Sequence, residues 1–286
     1  MATVALISPP GGGKTTMVVK TAVRRPIHIL DIDNKVRAMA TFKPYLDKGE
    51  VTVKELGEDI HEDGFAMRVK SLLQNDKVAK PPKGWATIAN YVEGLENDPQ
   101  AKAAGTILWD SFTLTVPHIR AHMNFVGGRN KFVWDDWSAW LQMWTEITDT
   151  MCNYAMAYNK DFIITIHERV NERPGERTKG VEVKEMLTVQ GVPVKTRTYL
   201  GIQDILIAGA IPGQFGLQYA AHFTDVYALK VDVDDEDHPK WRCRVLPDGL
   251  RDLRCSFDVK GQAEWDPDFR QIWGVMPQPR KEVTKK

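Results

Sequence analysis

Short apolar runs alternate with helical-period segments through the first two thirds of the chain. Thr3 to Ile7, Ile27 to Ile32, Val51 to Leu56, Thr106 to Trp109 and Phe162 to Ile166 are rich in apolar residues and bounded by polar or turn residues. Such runs fit strands covered on both faces. Between them, Thr15 to Val23 reads as a helix, and residues 63 to 100 read as mainly helical with a break at Pro81-Pro82. Trp137, Trp140, Leu141, Trp144, Ile147, Met151 and Tyr154 recur at i, i+3, i+4, i+7 spacing, the mark of an amphipathic helix. This tryptophan stripe is assigned to packing rather than to base stacking. Strands alternating with helices predict an α/β fold, a mainly parallel sheet flanked by helices.

The last third reads differently. Residues 169 to 198 are polar and carry Pro174, Gly175, Gly180, Gly191 and Pro193, which predicts a long loop or hairpin. Phe223 to Val233 and Trp241 to Leu246 read as paired strands around the acidic turn Asp234-Asp235-Glu236-Asp237. We therefore expect a core over 1–230, a C-terminal β-hairpin extension over 231–276 packed on it, and a disordered Pro- and Lys-rich tail over 277–286.

Charge narrows the function classes only partly. The 38 Lys and Arg residues are balanced by 38 Asp and Glu, which excludes a globally basic nucleic-acid binder but not a local basic surface. Three cysteines with no CxxC pair fit a reducing compartment. No run has the length of a membrane span, and the opening residues lack the basic start of a signal peptide. The expectation is a cytoplasmic protein without a membrane partner.

The strongest chemical signal is Ser8-Pro9-Pro10-Gly11-Gly12-Gly13-Lys14-Thr15-Thr16, which follows the first strand and opens the first helix. This is the setting of the phosphate-loop motif GxxxxGK[ST], with Ser8 in place of the first glycine. Glycines let backbone N–H groups turn toward phosphate oxygens, and a helix N-terminus favours negative charge. Pro10 through Thr16 are the predicted nucleotide-binding residues. Lys14 would reach the β- and γ-phosphates, and the Thr15 hydroxyl would ligate Mg²⁺.

Three further strand ends belong to the same reading. Asp110 ends the run Thr106-Ile-Leu-Trp, the place of a carboxylate that holds the Mg²⁺ shell. Asp31 and Asp33 end the second run, where one of them could polarise a water; two solvated loop carboxylates satisfy the same pattern. His167 ends the fifth run, at the edge of a parallel sheet where ligands bind; it is either a phosphate sensor or a structural histidine.

The order GGGKTT, Leu-Asp-Ile-Asp, ILWDS, ITIHE resembles RecA-type ATPases, and is most similar to compact phage RecA-like proteins of single-strand annealing and recombination. The resemblance spans roughly residues 1 to 230. It implies a RecA-like P-loop NTPase core with ATP and Mg²⁺ as cofactors. It also implies Lys14, Asp33, Asp110 and His167 as catalytic residues and Thr15 and Asp110 around the metal. Asp33 stands where the family places a water-activating glutamate, and the shorter side chain implies slow hydrolysis. The family pattern further implies a homo-oligomer, ring or filament, in which a neighbouring subunit supplies a basic residue; Arg242, Arg244 and Arg251 are candidates. Single-stranded DNA and a single-strand-binding protein are the implied partners, in a host cytoplasm if the chain is phage-encoded.

Two segments suit a DNA path. Ser111 to Trp134 contains no carboxylate but holds Arg120, Arg129, Lys131, His118 and His122 among Phe112, Phe125, Phe132 and Trp134. Cations for phosphates and aromatic faces for bases make sequence-tolerant single-strand sites. Between Arg169 and Thr198 cations outnumber carboxylates, with Arg169, Arg173, Arg177 and Lys179 at the start; a salt-bridged hairpin reads the same way. Alternative functions are a motor or loader ATPase, a small-molecule P-loop kinase whose lid would be Arg169 to Lys179, and a nucleotide-gated binding module.

Overall fold

The apolar runs form strands because each alternates its side chains between two covered faces. β1 (Thr3–Ser8) sends Ala5 and Ile7 into one core cluster and Val4 and Leu6 into the other. β2 (Ile27–Asp31), β4 (Thr106–Asp110) and β5 (Asp161–Glu172) divide their residues in the same way. The computed structural model describes residues 1–57, 83–128, 133, 135–172, 183–189, 192–199, 205–209, 211–212, 215–233, 238–247 and 251–275. The expected break at Pro81-Pro82, the acidic turn at 234–237 and the tail at 277–286 lie outside these residues.

Eight strands form one continuous path. With β3 (Val51–Glu55), β9 (Asp225–Val233), β10 (Pro239–Arg244) and β11 (Glu264–Trp265), the order is β11-β10-β9-β1-β5-β4-β2-β3. Pairing is parallel from β9 to β3 and antiparallel across β9, β10 and β11. The chain is thus an α/β protein with a mostly parallel sheet. β10 and β11 extend that same sheet.

Helices cover both faces. On one side lies α1 (Lys14–Thr21), whose Met17, Val18 and Val19 share a cluster with Leu108, Ile163, Tyr227 and Cys243. α2 (Lys43–Asp47) adds Tyr45 and Leu46 to that side. On the other lie α3 (Lys83–Glu93), α5 (Thr115–Val126) and α6 (Asp136–Ala157), with α4 (Pro99–Ala103) capped by Asp98 between them. The tryptophan stripe packs as its spacing predicts: Trp140, Trp144, Ile147 and Met151 are buried, and Trp144 meets Phe112 edge-on at 4.9 Å and stacks on Phe215 at 5.6 Å. The segment 111–126, read from sequence as part of a DNA path, contains α5, and Phe112 is a core residue rather than a free stacking face.

Beyond His167 the fifth strand continues to Glu172, and its end pairs antiparallel with β8 (Ile205–Gly209). Between them, β6 (Val183–Val189) and β7 (Val192–Tyr199) form a separate hairpin, one of the two arrangements expected for this stretch. The chain continues through α7 (Phe215–Gln218), and α8 (Phe269–Ile272) closes it against α1. The three cysteines are free thiols. Among the described residues no helix is long and apolar enough to cross a membrane.

The aromatic cluster is the most demanding part of the core. Trp144→Ala should lower stability by about 3–5 kcal/mol, the cost of an unfilled cavity of that size, measured from the midpoint of chemical denaturation. A loss below about 1 kcal/mol would mean that the stripe is not core.

Candidate functional site

Side-chain alternation decides which polar residues can meet. Asp31, Asp110 and Thr165 share the strand faces of Ile29, Leu108 and Ile163, all of which pack on the α1 side. Parallel register then aligns the strand ends: Ser8 lies opposite His167, and Asp31 lies opposite Asp110. The polar strand ends therefore collect where α1 begins, the edge at which open parallel sheets bind ligands.

The turn from β1 into α1 depends on its glycines. Gly11 (φ 78°) and Gly13 (φ 83°) lie in the left-handed region, where a Cβ is strained. Gly12 has no room for a side chain, because a Cβ there would come within 2.3 Å of the Ser8 Oγ. Ser8 in place of the usual glycine thus has a structural reason. It is fully buried, and its hydroxyl donates to the Pro9 carbonyl (2.9 Å) and accepts from the Lys14 Nζ (2.9 Å). The ammonium also donates to the carbonyls of Ser8 (3.1 Å) and Pro9 (3.2 Å). No side chain caps α1, whose start is closed by the Met17 N–H donating to the Gly13 carbonyl. The N–H groups of Lys14, Thr15 and Thr16 are left without intrahelical acceptors, an arrangement suited to an anion.

Asp110 joins this loop to the sheet. Its Oδ2 accepts from the Thr15 hydroxyl at 2.7 Å, and its Oδ1 accepts from the Thr165 hydroxyl of β5. Burial raises its pKa, partly offset by the two hydroxyls and by Lys14. Burial likewise pushes the Lys14 ammonium down to about 8, against the attraction of Asp110 and Glu168. His167 is held by its backbone N–H donating to the Thr113 Oγ1 (2.9 Å). Burial lowers its pKa, as do Lys14 and Lys35, with Asp33 acting oppositely.

The two aspartates at the end of β2 behave differently. Asp31 is fully buried; its Oδ2 accepts from the Val36 N–H at 2.8 Å. Desolvation, with the Asp33 and Asp110 carboxylates nearby, raises its pKa to about 7. Asp33 lies beyond the strand end, partly exposed, and pairs with Lys35 at 3.0 Å. The buried carboxyl is thus the one whose proton affinity rises, while Asp33 faces solvent beside Lys35.

The predicted nucleotide residues Pro10 to Thr16, together with Asp33, Asp110 and His167, are thus gathered at one place. A hydroxyl and a carboxylate oxygen, side by side, are the hard donors that Mg²⁺ takes when phosphates and water complete its shell. Among the described residues no group of three or more His, Cys, Asp or Glu could hold a metal by itself, which that mode of binding does not require. Of the DNA candidates, only Arg120 and Arg169 lie among the described residues. Arg120 is exposed on α5, with its guanidinium 6.0 Å from the Trp140 ring centre. Arg169 lies on β5, two residues past His167. Arg129, Lys131, Arg173, Arg177 and Lys179 lie outside the described residues.

Three participants escaped the sequence reading. Thr165 could have been found from its parity with Ile163. Glu168, which pairs with Arg251 at 3.2 Å, and Trp241, whose ring lies 3.3 Å from where a Gly13 Cβ would be, depend on contacts across the fold that leave no local signal. Of the three basic candidates, Arg251 thus meets a carboxylate next to His167, while Arg242 pairs with Asp266 and Arg244 with Glu264. No protein-family model matches the chain, and no curated protein matches it in sequence. The site stands on its own geometry.

The Asp31 shift has a stability consequence. A carboxyl whose folded pKa lies above its unfolded value favours folding fully only below the unfolded value, and that contribution is lost as pH rises through the folded one. Asp31→Asn keeps an acceptor for Val36 and adds a donor beside Asp33. It should leave stability nearly unchanged at pH 4 and raise it by about 1–3 kcal/mol at pH 8, followed by denaturant unfolding at both pH values. An equal effect at both would contradict a raised Asp31 pKa.

Proposed function

We propose that the protein is a Mg²⁺-dependent ATPase of the RecA-like P-loop kind that acts on single-stranded DNA. The observation that carries the reading is the Thr15–Asp110 contact, which unites the glycine-rich loop with the end of β4 in the roles that the sequence resemblance implies. The order β1-β5-β4-β2 supports it, with Asp110 and Asp31 at the ends of β4 and β2 and His167 on β5 opposite the end of β1.

The residues divide the work as follows. The loop backbone and the open N–H groups of α1 grip phosphate oxygens, and the Lys14 ammonium neutralises charge that accumulates on them. Thr15 and Asp110 would hold the shell of a Mg²⁺ ion, which when bound would supply positive charge beside the phosphates. Asp33 orients and accepts a proton from the attacking water, while Asp31, buried beside it, holds the turn after β2 through the Val36 N–H. His167, whose pKa burial lowers, would hydrogen-bond the terminal phosphate as a neutral imidazole. Asp33 is a short base on a partly exposed turn, which supports slow basal turnover.

DNA binding is proposed for the segment that follows His167 on the same strand. β5 runs without a break from the site to Arg169 and Glu172. A change at the phosphate can therefore reach Arg169 along one strand. Assembly into a ring or filament, with a basic residue donated between subunits, belongs to the same proposal.

Steady-state ATP hydrolysis with and without single-stranded DNA tests this reading. DNA should stimulate the wild type, and Lys14→Ala should reduce the stimulated rate by about 100-fold or more, the loss expected for a charge-stabilising group. Hydrolysis that survives in Lys14→Ala, or DNA-independent phosphate transfer to a small acceptor, would overturn it.

A further inference from the structure

The β9–β10 hairpin stands higher than the strand it flanks. β1 ends at Ser8, one residue past the register pair Ile7–Ala228. β9 continues to Val233 and β10 returns from Pro239, with Val231 opposite Trp241. Val231 lies two positions beyond Leu229, which is level with Ser8, so this pair projects about 7 Å beyond the end of β1. That is the level of the glycine-rich loop.

Alternation sets the face. Trp241 and Val231 share parity with Cys243 and Leu229, which pack on the α1 side. The pair is only partly covered: Trp241 is 42% and Val231 44% exposed. The pyrrole edge of the indole nevertheless touches the loop, with Cδ1 and Nε1 each 3.3 Å from the position of a Gly13 Cβ. An exposed tryptophan with its neighbouring valine thus lies against the loop proposed to hold phosphates.

The direction of the ligand follows from the strand order. Asp110, His167 and Asp33 all come from one side of β1, through β5, β4 and the end of β2. The terminal phosphate belongs on that side, beside Lys14. A triphosphate lying along the loop must send its nucleoside the other way, toward β9 and β10. A flat, half-exposed indole beside an apolar valine is the chemistry that receives a nucleobase, since base–aromatic stacking needs an open ring face and no particular base edge.

We propose that Trp241 is the nucleobase-stacking residue of this site, holding the purine of a nucleoside triphosphate against the β9–β10 hairpin with Val231 beside it. The inference rests on the nucleotide-binding reading and adds to it a ligand class and a residue. It also assigns the C-terminal strands a role in binding.

Calorimetric titration of the full chain with Mg-ATP and with Mg-tripolyphosphate, which has no base, separates the two layers. Trp241→Ala should weaken ATP binding about 10- to 100-fold, and Trp241→Phe by less than about fivefold, while both keep wild-type affinity for tripolyphosphate. Lys14→Ala should lose both ligands. Equal losses for ATP and tripolyphosphate in Trp241→Ala would show that the indole only props the loop, and an unchanged ATP affinity would show that it meets no base; either overturns the proposal while leaving the phosphate site intact. A wild-type chain that binds neither ligand would overturn the nucleotide reading itself.

Discussion

The buried carboxylate of Asp110 is the point on which the arrangement depends. A charge removed from water needs partners close at hand, and its partners come from two distant parts of the chain. The Thr15 hydroxyl and the Lys14 charge come from the first turn of α1, and the Thr165 hydroxyl comes from the middle of β5. Satisfying this one group therefore fixes the first helix against the sheet and sets β5 beside β4. The same demand explains why the strand face that carries Ile163 has a threonine at position 165.

Around that anchor the sheet separates two kinds of chemistry. On the β5–β4–β2 side, the strand ends carry titratable groups whose burial moves their proton affinities toward neutrality: Lys14 down to about 8 and Asp31 up to about 7. On the β9–β10 side the surface beside the loop is apolar. The polar side suits a reacting phosphate and the apolar side suits the part of a ligand that does not react. β1 and its loop form the boundary, and the positive-φ glycines Gly11 and Gly13 let the chain turn sharply enough to expose its N–H groups to both sides.

Legibility in the sequence followed the range of the contacts. The loop from Ser8 to Thr16 was legible because its signal is local: a strand, glycines that tolerate left-handed backbone, a lysine and a helix in one continuous stretch. The strand ends at Asp110 and His167 were legible because a period of two and a parallel sheet together dictate where they point. The Trp140 and Trp144 stripe was legible from helical spacing. Other features depend on distant partners. Phe112 reads as an aromatic in a cationic segment, yet Trp109, Trp144 and Phe215 surround it. Asp31 and Asp33 look equivalent in sequence, and only the Val36 N–H and the end of β2 distinguish the buried carboxyl from the open one. Trp241 acquires its place from hairpin register 228 residues after Gly13, which no local pattern encodes.

The most direct test of this account is a crystal structure of the protein with Mg²⁺ and a non-hydrolysable ATP analogue. The account predicts that the phosphates lie within the loop from Pro9 to Thr15, with Lys14 turned from the Ser8 and Pro9 carbonyls to phosphate oxygen. Thr15 should ligate the metal and Asp110 should hold its shell. A triphosphate bound elsewhere, or a metal with neither Thr15 nor Asp110 beside it, would contradict the central claim.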